Sequence, residues 1–121
     1  MTRALITIAG LMGAAGIVLA ALGAHGGDLP RLVTASSMLL FHAPVILAVV
    51  LLNDRGLVQH PLAVVAAIGF AAGATLFATD LTARDLAGHA LLPMAAPSGG
   101  TILITSWILL ALAGLIARQK P

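Results

Sequence analysis

The chain predicts an all-α fold: an integral membrane four-helix bundle with a short interfacial helix between helices 3 and 4. Three observations carry that reading. Residues 4–27, 32–53, 56–79 and 86–117 contain no Asp, Glu, Lys or Arg. A hydrocarbon core about 30 Å thick needs roughly 20 apolar residues of helix to cross it, and each of the four stretches supplies that length. Charge is confined to five seams: Arg3, Asp28/Arg31, Asp54/Arg55, Asp80/Arg84/Asp85 and Arg118/Lys120. Finally, 60% of residues are hydrophobic and 8% charged, with a mean hydropathy of +1.11. Water-exposed domains carry about a quarter charged residues, so this chain could not cover a globular surface. The 121 residues are read as one transmembrane domain, 1–121, with spans of about 4–24, 32–52, 61–79 and 99–117.

Helix 1 is expected over residues 4–24. Arg3, the apolar run and Ala21-Leu22-Gly23-Ala24 imitate a signal peptide with its cleavage site, but the run is longer than a usual signal core, so it is read as a retained span. His25-Gly26-Gly27-Asp28 makes the turn into helix 2, and Pro30 suits the first turn of that helix, where its missing N–H costs nothing. Asn53-Asp54-Arg55-Gly56 is turn chemistry, and His60-Pro61 opens helix 3. Between helices 3 and 4, Asp80/Arg84 and Asp85/His89 are each spaced i, i+4, which places each pair together on a helix. With Leu81, Leu86, Leu91 and Leu92 beside them and Pro93 and Pro97 interrupting, this segment is read as lying at the interface. Pro97-Ser98 opens helix 4.

Four spans put both termini on one side, with Arg3, Arg55, Arg118 and Lys120; the other side has Arg31 and Arg84. The positive-inside rule then predicts cytoplasmic termini, in a bacterial inner membrane. Gly10, Gly13, Gly16 and Gly23 on helix 1 and the Gly69-to-Gly73 GxxxG on helix 3 allow helices to approach closely. Gly16 and Gly69 or Gly73 are therefore expected at contacts, within one bundle or between copies.

Several function classes are excluded. A pI of about 10.6 reflects six scattered bases against four acids, with no cluster to track phosphates, so no nucleic acid is expected. The chain has no cysteine, and with it no thiolate chemistry or disulfide. It has no glutamate, and its four aspartates lie at or beyond the span ends, which removes the intramembrane acid of a proton-coupled drug exchanger. Ser36, Ser37, Ser98 and Ser106 are not spaced with His and Asp as a hydrolase triad would require. No enzyme activity and no cofactor are expected.

The candidate functional residues are His25, His42, Asp80 and His89. An imidazole near the midplane is costly, and His42 is one, followed by Pro44, which leaves the carbonyl of Leu40 without its helical donor. His42 is expected to face inward, neutral, bonded to a carbonyl near Leu40, to Thr75 or Thr79, or to Thr105 or Ser106, while Trp107 is not an interface anchor. His25, Asp28, Asp80, Asp85 and His89 share the side opposite the termini and include plausible divalent-metal ligands, yet their spacing fits no compact signature and no metal is assigned. His25 and His42 cannot share a haem iron, because His42 lies about 17 Å further along the second helix.

Leu22-Gly23-Ala24-His25-Gly26 resembles the Gly-Ala-His-Gly segment of a small four-span membrane family known as domain of unknown function 423. Phe41-His42-Ala43 is similar to its Tyr-His-Ala, and Leu76-Phe77-Ala78-Thr79-Asp80 to its Leu-Phe-Ser-Gly-Ser/Asp. Pro97-Ser98-Gly99-Gly100, then Ser106-Trp107, resemble its Thr-Pro-Ile/Leu-Gly-Gly and Gly-Trp. The matches run in order along essentially the whole chain. Phe41 for Tyr and Ala78-Thr79 for Ser-Gly are departures that remove hydroxyls. The resemblance implies the four-helix membrane fold and carries no activity. The expected function is a non-enzymatic accessory or assembly partner acting through helix–helix contacts, with the lipid bilayer and a membrane-protein partner or second copy as its partners. The alternative is a small-solute or ion transporter or channel with its polar site at His42.

Overall fold

The computed structural model describes residues 1–118, so Lys120 of the last charge seam lies outside the described residues. Four α-helices account for most of it: α1 Thr2–His25, α2 Pro30–Asp54, α3 His60–Leu86 and α4 Ala95–Leu115. Among the described residues there is no strand. All four helices are long and apolar enough to cross a membrane, with mean hydropathies of 2.3, 2.2, 2.0 and 1.7 over their best windows. The protein is an integral membrane protein with four helices of spanning length.

The connections are short and the helices alternate in direction. Asp85 at the end of α3 reaches the start of α2, and the Gln59 amide before α3 donates to the Ala113 carbonyl near the end of α4, 2.8 Å away. Chain order is also packing order. α1 lies on α2, α2 on α3 and α3 on α4, with a small α1–α3 contact, while α1 and α4 do not pack together among the described residues. The middle helices bury 39% and 44% of their spans and the outer two 22% each, so the bundle is open on one side.

Each helix end has its own cause. Pro30 takes the first position of α2. The Gln59 side chain caps α3 by accepting from the Leu62 amide at 3.0 Å, with Pro61 in the first turn. α1 stops at Gly26, whose amide bonds back to the Leu22 carbonyl at 2.7 Å.

Two boundaries differ from expectation. The short interfacial helix expected after residue 79 is the end of α3, which runs unbroken to Leu86. Nothing between Thr79 and Leu86 breaks a helix, and the first breaker is Gly88 at φ +76°. Twenty-seven residues at 1.5 Å each make α3 about 40 Å long against a core of about 30 Å, so its last turns emerge where charge is tolerated. α4 starts at Ala95, four residues before the expected Gly99, because Pro97 lies inside the first turn. There its missing N–H would have had no helical partner anyway.

Glycines set the closest helix approaches. A Cβ on Gly99 would sit 2.8 Å from the Gly73 carbonyl oxygen and 2.9 Å from the Phe77 nitrogen. One on Gly69 would run into the Ser106 hydroxyl, and one on Gly16 would be 2.7 Å from Leu40 Cγ. The expected contacts at Gly16, Gly69 and Gly73 are all present within the single chain, so packing inside the bundle accounts for these three. Gly10, Gly13, Gly100 and Gly114 face open space instead.

Candidate functional site

His42 points into the bundle and is 4% exposed. Twelve residues into α2, it meets Phe41, Phe70 and Trp107 at ring-centroid distances of 5.2, 5.7 and 6.2 Å. Phe70 and Trp107 pack edge to face at 4.9 Å. Both imidazole nitrogens are engaged: Nδ1 lies 2.8 Å from the Met38 carbonyl and Nε2 lies 3.4 Å from Trp107 Nε1. A carbonyl only accepts and an indole N–H only donates. The ring therefore carries its proton on Nδ1 and presents the Nε2 lone pair to Trp107, which is the neutral form.

The inward orientation agrees with the sequence, as does a backbone carbonyl near Leu40, that of Met38, as one partner; the other partner differs. Neither the Leu40 carbonyl nor Thr75, Thr79, Thr105 or Ser106 bonds to the ring. Thr79, Thr105 and Ser106 hydroxyls are occupied locally, donating to the carbonyls of Thr75, Thr101 and Ile102 at 2.7, 2.9 and 2.8 Å. Trp107, set aside as no interface anchor, is the missed partner. Its position carries a signal: like His42, it lies twelve residues into a helix that starts at the end opposite the termini. At 1.5 Å per residue both sit about 18 Å deep.

The remaining candidates do not converge on one site. Asp80 is fully buried, and its carboxylate accepts from Arg84 Nε at 2.9 Å and from the Leu91 amide at 2.8 Å. Asp85 accepts from the Arg31 and Leu32 amides at 2.8 and 3.1 Å and from Arg31 Nη1 at 3.1 Å. It supplies the N-terminal cap of α2 from another helix, on two of the first amides, which have no partner inside α2. Of the two expected i, i+4 pairs, Asp80/Arg84 forms. Asp85 pairs with Arg31 instead of His89, because the helix has ended before His89, which bonds the Ala90 carbonyl at 2.9 Å. His25 ends α1 exposed. Among the described residues no three His, Cys, Asp or Glu side chains form a group that could hold a metal.

The larger concavities lie elsewhere. A groove of about 500 Å³ runs between α1 and α3, walled by Leu11, Ala15 and Val18 on one side and Thr75, Thr79 and Thr82 on the other. The Thr79 and Thr82 hydroxyls bond back to the Thr75 and Ala78 carbonyls at 2.7 Å, so these two threonines present methyl groups. The groove is apolar and does not reach His42.

Four apolar helices of spanning length, a buried histidine among aromatic rings and two ion-paired carboxylates define a small polytopic membrane protein. The family described as "Protein of unknown function (DUF423)" matches residues 19–100, well over half of the chain, and the protein belongs to that family. No curated protein and no solved structure matches it.

Proposed function

We propose that the protein is a non-enzymatic accessory or assembly partner of a larger complex in a bacterial inner membrane, working through helix–helix contact. One observation carries this reading: the buried polar side chains His42, Asp80 and Asp85 are engaged within the chain, while a groove of about 500 Å³ on the open α1–α3 side is apolar. His42 has both nitrogens bonded, Asp80 and Asp85 are ion-paired, and the groove is lined by aliphatic side chains and threonines. In lipid, association rests on packing and on close approach of small surfaces, which is what that side offers. Transport through His42 would need water at the ring, and three aromatic rings and two hydrogen bonds surround it.

Cytoplasmic termini fit the charges. Arg3, Arg55, Arg118 and Lys120 belong to the side of the termini and only Arg31 and Arg84 to the other, and the side richer in Lys and Arg faces the cytoplasm.

The test is mild-detergent purification of the tagged chain from its native membrane, beside an Ala15→Trp variant that fills the groove. A stoichiometric membrane protein retained by the parent and lost from the variant is the expected outcome. Recovery of only the free monomer, with no phenotype on deletion, would refute the assembly role.

A further inference from the structure

The groove between α1 and α3 is not alone on that side. A second apolar hollow, of about 510 Å³, adjoins it and shares Ile8, Thr75 and Thr79 with it. The first extends along α1 from Ile8 to Leu19 and the second along α3 from Ile68 to Thr79, about 16 Å each at 1.5 Å per residue. That is close to the depth of one leaflet, half of a core about 30 Å thick. Both reach the end opposite the termini, where Thr82 lines the first and Leu91 the second.

The shape selects an occupant. The backbones of α1 and α3 come within 8 Å of each other, whereas a helix with its side chains is about 10–12 Å across. A partner's helix can lie over this crease but cannot enter it; an acyl chain, one methylene wide, can. Its methylenes would supply the contacts that the walls of an unfilled crease lack.

Charge at the mouth selects the headgroup. Asp85 lies one turn beyond Thr82 on α3 and holds the Arg31 guanidinium through Nη1 alone. The Arg31 side chain is 53% exposed, and a guanidinium carries several N–H donors, so donors remain for a phosphate. Asp28 stands just before Arg31 in the exposed turn and has no ion pair among the described residues. A cation and an unpaired carboxylate this close match a headgroup that carries both a phosphate and a primary ammonium. A purely anionic headgroup would meet Asp28 and Asp85 with no cation to offer them.

We propose that a zwitterionic phospholipid from the leaflet opposite the termini binds on the α1–α3 side. Its two acyl chains fill the two hollows, its phosphate meets Arg31 and its ammonium meets Asp28. The site shares a groove with the assembly reading but does not rest on it, since a partner's helix can still lie across the filled crease.

The test is native mass spectrometry of the purified full chain, free of any partner, after reconstitution with equal amounts of phosphatidylethanolamine and phosphatidylglycerol. A single phosphatidylethanolamine should stay bound in preference to phosphatidylglycerol. Ala15→Trp, which fills the crease, should release it, and Ile104→Trp, on the exposed face of α4, should not. Asp28→Asn, at an exposed turn residue, keeps the test decisive if Ala15→Trp fails to fold. There the preference for phosphatidylethanolamine should fall about two- to fivefold, the worth of an exposed ion pair. A parent chain that retains no lipid or prefers phosphatidylglycerol, equal release from the two tryptophan variants, or a preference unmoved by Asp28→Asn would overturn the site.

Discussion

Trp107 holds α4 against His42 with one N–H and a large ring, and the two contributions separate by substitution. Trp107→Phe keeps an aromatic ring beside Phe70 and removes only the donor. The expected loss is about 0.6 kcal/mol, the average for polar side-chain contacts between membrane helices. Trp107→Ala also removes the packing against Phe41 and Phe70 and should cost several times more. Unfolding of both variants in the same detergent checks the ratio; equal losses would mean that the hydrogen bond, not the ring, holds α4. The inward histidine was readable from the sequence, because a midplane imidazole has few other choices. Its partner was not, since Trp107 belongs to an uncharged helix and only a common depth count links it to His42.

Among elements, the α3–α4 contact rests on backbone approaching backbone. A methyl at Gly99 meets the Gly73 carbonyl and the Phe77 nitrogen below 3.0 Å, and neither atom belongs to a side chain that can turn aside. Gly99→Ala should therefore push the helices apart at a cost of about 1–3 kcal/mol, the range for overpacking. Gly10→Ala, with nothing within 4 Å, should be neutral or slightly stabilising, because alanine favours helix. Detergent unfolding of the two variants distinguishes a structural glycine from an idle one, which counting glycines along the sequence does not do. The charged end of α3 behaves similarly. Asp80→Ala removes the buried carboxylate that Arg84 and the Leu91 amide share and should destabilise more than Asp80→Asn, which keeps an acceptor. If alanine and asparagine were equally tolerated, Asp80 would not be fastening the α3–α4 connection.

For the whole molecule, the charge seams located every span, and lengths fixed by the hydrocarbon core did the rest. What they missed lies where the core ends. Asp80 to Leu86 carries charge and still continues α3, since charge marks the edge of the hydrocarbon and not the end of a helix. Pro97 misled in the opposite direction, because a proline near a helix start can lie inside the first turn as well as before it. How open the bundle is was also unreadable, since α1 and α4 have apolar faces whether or not they touch. Orientation remains measurable: reporter fusions at either terminus should be active only in the form that folds in the cytoplasm, and a fusion in residues 87–94 only in the form that folds outside. Opposite behaviour of the two termini would remove the even number of crossings.

Asp80 also constrains how the protein is made. While the ribosome has delivered only α3, its carboxylate has Arg84 as its sole partner, and the amide that completes its seat, Leu91, lies eleven residues downstream. The Gly99 surface that packs against Gly73 is later still. α3 is therefore settled only against α2 when it leaves the insertion machinery, and the seat of Asp80 is completed as α4 follows. The two should enter the bilayer as a hairpin. Chains truncated at residue 90 should be degraded or unfold in detergent more readily than chains reaching residue 118, and equal resistance would mean that α3 needs nothing from α4.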